Sequence, residues 1–217
     1  VTVTLDRGDL GIASGQYACS ASKAGYYAPT PSMNFTVGRG ATTACNYFLY
    51  QYGVVPARLL SSFSLAEAFT LVSSMFLHGG IMHIAGNMWF LWIFGDNIEN
   101  DFGKARYVSF YLLSGLIASL AHVFTNMSGP NAIIPSLGAS GAISGVMGAY
   151  LVLHAQRRVT VLLFRFVTEV PGFVAVGLWF AFQIVASLSG AKDGIAYAAH
   201  IGGFIAGMAL APLFMIG

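Results

Sequence analysis

The chain has 217 residues, 56% of them hydrophobic and only 8% charged, with a formal net charge of +2. A soluble globular domain carries about 25% charged residues, so this composition excludes an ordinary soluble domain and describes a multi-pass integral membrane protein whose first partner is the lipid bilayer. No Lys/Arg cluster suggests a nucleic-acid partner.

Residues 1–46 contain no apolar run of about 18 residues, the minimum for a spanning helix. Gly, Ser, Thr and Pro are frequent there, and the stretch reads as an extramembrane polar segment, loop-rich with short strands. Both cysteines of the chain, Cys19 and Cys45, fall in it. They can close one disulfide in an oxidising compartment or remain two free thiols. Asn34-Phe35-Thr36 has the form of a glycosylation sequon, a triplet that also arises by chance. Residues 47–217 form the membrane domain, entered through an interfacial turn at Val55-Pro56-Ala57-Arg58.

Five apolar segments follow, so the fold class is an all-α membrane bundle. A short apolar piece from Ala68 to Leu77 precedes the first span, Ile81 to Ile98. The others run from Tyr107 to Phe124, Leu137 to Leu153, Gly172 to Leu188 and Ile195 to Met215. Several are close to the lower limit of about 17 residues, which suits a compact bundle that thins the bilayer around itself. Lys104 and Arg106 follow span one, and Arg157, Arg158 and Arg165 follow span three. The alternate loops hold only Lys192. The positive-inside rule therefore puts the first set in the cytoplasm. The N-terminal segment, Ser140 at the start of span three and His200 near the start of span five then lie toward the outer face.

Ser140 sits in Gly138-Ala139-Ser140-Gly141, and His200 in Ala198-Ala199-His200-Ile201-Gly202-Gly203. An ionisable residue inside a membrane helix is costly and points to function. A serine hydroxyl needs a base within hydrogen-bond reach to act as a nucleophile, and His200 is the best base in the outer half. Gly141 with Gly145, and Gly203 with Gly207, form two GxxxG patterns that let helices approach backbone to backbone. His83 and Asn87 are spaced i,i+4 and share a helix face. They read as hydrogen-bond donors for an oxyanion, together with the Ser140 backbone N–H. His78 reads as a loop residue bonded to backbone, and His122 and His154 as interfacial. A zinc site is disfavoured because HExxH is absent, so neither metal nor cofactor is expected. Glu99 lies on the wrong side of the membrane to be the acid, and takes a structural role at a helix end. Trp89, Trp92 and Trp179 read as bilayer or packing residues, with Trp179 and Phe180 also bearing on access to the site.

These motifs, in this order, resemble the rhomboid family of intramembrane serine proteases: His78-Gly79-Gly80 with His83 and Asn87, Gly95…Glu99…Gly103, Gly138-Ala139-Ser140-Gly141, and Ala199-His200 followed by Gly203 and Gly207. The resemblance covers about residues 47–217. It implies a Ser140–His200 dyad without an acidic third member, and an oxyanion hole of His83, Asn87 and the Ser140 amide. It also implies transmembrane protein substrates that enter beside the fourth segment. Three departures stand out. The family's first span would precede Tyr47, where a polar segment stands, so an outer N-terminus is expected. Phe69-Thr70 occupies the place where many members carry Trp-Arg. Ser144 replaces an aromatic ring that often packs on the catalytic histidine, so His200 must take its orientation from another partner. A non-catalytic membrane protein of the same fold that binds client helices is the alternative reading. A small transporter is disfavoured because no inverted repeat is visible.

Overall fold

A computed structural model describes residues 2–6, 17–22, 35–37, 49–61, 63–163, 166–190 and 194–215. The chain divides into two compact units, Val1–Gln51 and Tyr52–Gly217. In the first, β1 (Thr2–Asp6), β2 (Tyr17–Ser22) and β3 (Phe35–Val37) form an antiparallel sheet in sequence order. Thr2 pairs with Ser22, and Tyr17 with Val37. Cys45 and Asn34 lie outside the described residues, and with them the Cys19–Cys45 pairing and the sequon; Arg165 and Lys192 do as well.

The second unit is helical. Its order is α1 (Pro56–Ser61), α2 (Leu65–Ser73), a 3-10 turn over Ser74–Phe76, α3 (Ile81–Phe102) and α4 (Lys104–Thr125). A second 3-10 turn (Pro130–Ile133), α5 (Ser140–His154), the strands β4 (Arg158–Leu163) and β5 (Phe166–Pro171), α6 (Gly172–Leu188) and α7 (Tyr197–Met215) complete it. Pro56 opens α1, where its missing N–H costs nothing. Ser64 caps α2 by accepting the Glu67 N–H at 3.2 Å. The Glu67 carboxylate turns back to Arg58 instead of to the cap, with Nε and Nη2 of Arg58 at 3.1 and 2.5 Å from one oxygen. Glu67 is buried, so this pair ties α1 to α2 close to Phe69-Thr70. There the Thr70 hydroxyl is itself satisfied by the Glu67 carbonyl at 2.6 Å. The Ala68–Leu77 piece is thus the end of α2 plus a 3-10 turn. Across Leu77–Gly80 the chain bends by 80° into α3, where two successive glycines impose little side-chain restriction.

α4 and α7 are each long and apolar enough to cross a bilayer, with mean hydropathy 1.6, and α2 with its turn and α3 qualify together as a bent pair. α5 and α6 are shorter apolar helices. The 15 residues of α5 reach about 22 Å, less than the roughly 30 Å of a hydrocarbon core. The burial pattern accounts for this. Every residue from Gly141 to Tyr150 is buried, because α5 packs against α3, α4, α6 and α7. It meets protein along its length, so its span need not match the lipid.

Two kinds of packing hold the bundle. Next to Ser140 the contact is glycine on backbone. A Cβ added at Gly203 would overlap the Gly141 carbonyl, and one at Gly207 the Gly145 carbonyl. The two GxxxG patterns therefore face each other in order, and α5 and α7 run parallel at close approach. In the other half, aromatic rings fill the space: Phe94 meets Tyr150 edge to face at 5.0 Å and Phe180 stacks on Phe204 at 4.1 Å. Phe110, Ile98 and Met147 are fully buried between them. Lys104, Arg106, Arg157 and Arg158 cluster in sequence at this second end.

β4 and β5 form an antiparallel hairpin from Arg158↔Pro171 to Leu163↔Phe166, where a plain loop is expected. The alternation in Arg-Val-Thr-Val and Val-Thr-Glu-Val is a strand pattern too short to register beside the apolar spans. The hairpin delivers the chain into α6, whose first two N–H groups bond backward: Gly172 to Arg157 O at 2.7 Å and Phe173 to Ala155 O at 2.9 Å.

Substituting Gly207→Val inserts atoms where the Gly145 backbone already stands, so it should cost well over the about 1–3 kcal/mol typical of overpacking. Gly177→Ala, whose Cβ meets nothing within 4 Å, should be neutral or mildly stabilising through helix propensity. Thermal denaturation of the two purified variants in one detergent checks both expectations.

Candidate active site

Ser140 is the first residue of α5. Its backbone N–H is one of those that a helix leaves without an internal acceptor, and it lies at the positive end of the helix dipole. The preceding turn is set by Gly138. That residue has φ +122°, a conformation closed to most side chains, and its N–H donates to Ser74 O at 2.9 Å. Val54 and Ser136 bridge just upstream, with N···O distances of 3.0 and 2.7 Å. The loop before Ser140 is thus fastened to both the start of the unit and the end of α2.

His200 lies in the first turn of α7, and its Nε2 is 2.7 Å from Ser140 Oγ. The other ring nitrogen, Nδ1, is 2.7 Å from Oε1 of Gln183 on α6. The Trp179 ring lies 6.0 Å from the imidazole, tilted by 35°, and Tyr197 meets it edge-on at 6.4 Å. Ser144, expected to leave His200 without support, is fully buried and donates its hydroxyl to the Ser140 carbonyl at 2.6 Å. Orientation comes instead from α6 and from Tyr197. Gln183 escapes the sequence reading, although one signal was available: it is an amide amid the apolar residues of α6, and it stands i,i+4 from Trp179 on the same face.

His83 and Asn87 sit on the first two turns of α3 and approach the same place. The Gly79 N–H donates to His83 Nδ1 at 3.3 Å. A neutral imidazole that accepts at Nδ1 carries its proton on Nε2, so His83 presents a donor. That edge faces the Gly138 turn: a Cβ at Gly138 would stand 2.8 Å from both Cε1 and Nε2 of His83, and 3.7 Å from Ser140 Oγ. Asn87 is buried and gives one amide hydrogen to His83 O at 3.0 Å, leaving a second to donate. His78 stacks edge to face on His83 at 5.2 Å. Elsewhere, His154 pairs with Asp101 at 2.6 Å and Asn126 donates to His122 O at 2.9 Å. Among the described residues, no three His, Cys, Asp or Glu side chains gather as a metal site. Behind Ser140 lies a cavity of about 20 Å³, bordered by Ser74, Ser119, Ser136 and Gly138, which is room for one water with polar partners.

Comparison with known proteins places the chain in a family. A Rhomboid domain model matches residues 65–216, and the chain belongs to the rhomboid family. With its apolar helices this makes it an integral membrane protein of all-α, rhomboid-like architecture. Rhomboid protein 1, mitochondrial, of Saccharomyces cerevisiae is 35% identical over 174 residues, which are 76% of this chain and 45% of that protein. Rhomboid protease GluP of Bacillus subtilis is 33% identical over 142 residues, 65% of this chain and 25% of that protein. The presenilin-associated rhomboid-like protein, mitochondrial, of Mus musculus is 31% identical over 142 residues, 64% of this chain and 36% of that protein. The matched region spans less than half the length of each of these relatives.

Substituting Gly138→Ala should strain the turn and push His83 away, since φ +122° disfavours a side chain and the new methyl meets the ring. The expected result is a folded protein with a slightly lower melting temperature in detergent. The His83 resonances in a histidine-labelled NMR spectrum should shift while those of His122 stay in place.

Proposed function

We propose that the chain is a serine-type intramembrane endopeptidase that cleaves peptide bonds in or beside transmembrane helices of membrane proteins. The single observation that carries this reading is the 2.7 Å approach of Ser140 Oγ to His200 Nε2, between residues 60 positions apart. Membership of a family that includes a relative named a protease supports it.

The chemistry follows from the positions. His200 Nε2 takes the Ser140 proton as the hydroxyl attacks a substrate carbonyl. The oxygen that becomes negative faces the Ser140 N–H at the α5 N-terminus, with the His83 Nε2–H and the free Asn87 amide hydrogen beside it. His200 then gives its proton to the leaving amine, and a water activated by the same nitrogen releases the acyl group. The polar cavity behind Ser140 is a place from which that water can come. A substrate helix hides its carbonyls in i→i−4 hydrogen bonds, so it must unwind before it can be attacked. Substrates with Gly, Ala, Ser or Pro near the membrane edge are favoured for that reason, and the resemblance to the family implies a small residue at the cleaved bond. The bias of Lys104, Arg106, Arg157 and Arg158 to the opposite end supports a site near the extracytoplasmic face.

Ser140→Ala and His200→Ala should each abolish cleavage of a reconstituted transmembrane substrate with the melting temperature preserved, and only the serine-bearing protein should react with a fluorophosphonate. Cleavage undiminished by Ser140→Ala would remove the nucleophile assignment. A wild-type protein that neither reacts nor cleaves, yet retains transmembrane peptides, would favour a client-binding role. Asn87→Ala should lower kcat about 10²–10³-fold with little change in KM, the signature of a lost oxyanion donor; single-turnover kinetics check this.

A further inference from the structure

Gln183 takes no part in the steps above, and packing does not explain it. The rest of α6 facing the bundle is apolar or small, and a buried primary amide is costly unless its hydrogen bonds are met. Gln183 is 4% exposed, and its Oε1 lies 2.7 Å from His200 Nδ1. An amide oxygen only accepts. This contact is a hydrogen bond only when His200 carries its proton on Nδ1. A neutral imidazole has one such proton, so Nε2 then turns a lone pair toward Ser140 Oγ, 2.7 Å away. That is the form a general base must have. In the opposite tautomer, with the amide oriented as it is, two acceptors would confront each other at Nδ1 and an N–H would face the serine; only an amide turned end for end, with its NH₂ toward Nδ1, would suit that form.

We infer that Gln183 is a positioning residue, the third member of a hydrogen-bonded chain Gln183–His200–Ser140, which holds His200 in its base-competent tautomer. The inference rests on the protease reading. Gln183 reaches the serine oxygen only through His200. The neighbouring rings of Trp179 and Tyr197 set the plane of the imidazole but do not choose between its nitrogens. The Ser144 hydroxyl is committed to the Ser140 carbonyl. The choice falls to Gln183. Being uncharged, the amide avoids the desolvation that a carboxylate would suffer inside the bundle. Because it is mounted on α6 while His200 is on α7 and Ser140 on α5, the chain also requires all three helices to be docked at once.

The test uses the full chain in proteoliposomes with a transmembrane substrate, as wild type and as Q183L, Q183M and Q183E. Loss of the acceptor in Q183L or Q183M should lower kcat by about 10- to 100-fold, part of the 10²–10⁴ that general base catalysis supplies, with KM changed by less than about twofold. Q183E, which still offers an oxygen to Nδ1–H but carries the desolvation cost of a buried carboxylate, should recover part of the rate. Independently of activity, ¹⁵N spectra of histidine-labelled protein, with His200 assigned by its loss in H200A, should show the proton on Nδ1 in wild type and a mixture of tautomers in Q183L. A wild-type proton on Nε2, an unchanged spectrum in Q183L, or a Q183L kcat within about twofold of wild type would each overturn the inference. If Q183L and Q183M fail to fold, the wild-type spectrum alone decides. Failure of the wild type to cleave or to react with a fluorophosphonate would count against the protease reading and leave the tautomer result standing.

Discussion

The approach of α5 to α7 is the constraint on which the rest depends. Lipid tails are as apolar as the helices, so the hydrophobic effect contributes little to pulling two spans together, and dispersion at short range must do most of it. Gly141 and Gly145 facing Gly203 and Gly207 remove the side chains that would hold the backbones apart. Because the two helices run parallel, residues at their starts share a level. Ser140 and His200 occupy those starts. A wider spacing would separate hydroxyl and imidazole by more than a hydrogen bond can span, whatever the local conformation of either residue.

The bundle divides its labour along its length. Large rings between Phe94 and Phe214 fill the half that carries Lys104 and Arg157, and there the packing is that of a conventional core. The half around Ser140 is built from glycine, alanine and serine, with polar groups bonded to one another or to loop backbone. Such groups are costly in an apolar setting. Most are paired: Gly138 with Ser74, Asn87 with His83 O, Gly79 with His83, and Gln183 with His200, while among the described residues the buried His78 Nε2 and Ser114 Oγ in this half have no partner.

How much of this is legible in the sequence varies by residue. α6 begins and ends at Gly172 and Leu188, the limits of the apolar run itself, because Pro171 precedes that run and Ser189-Gly190 closes it. Ser140, His83, Asn87 and His200 stand out as polar groups in apolar surroundings, and their cost alone draws attention. The GxxxG spacing indicates close approach, but which pair of helices meets is a tertiary fact. Gln183 is missed because a single amide in an otherwise apolar helix attracts less notice than a histidine, and its meaning depends on a partner 17 positions away. The β4–β5 hairpin is missed for the opposite reason: its valines and threonines are ordinary until their cross-strand partners are known. The 80° bend before α3 follows from Gly79-Gly80 only once the fastening of the Gly138 turn to Ser74 is seen.

The two backward hydrogen bonds at Gly172 and Phe173 anchor α6 at the hairpin end, and they make the helix a lever with its fulcrum far from the serine. Gln183 stands eleven residues out from that fulcrum, an arm of about 16 Å. On such an arm a tilt of about 10° sweeps the amide through roughly 3 Å, enough to uncouple it from the imidazole. The side of α6 turned outward carries Leu178, Phe182, Val185 and Leu188, all exposed. Pressure from lipids on that greasy flank would therefore be felt, magnified, at the contact between Gln183 and His200.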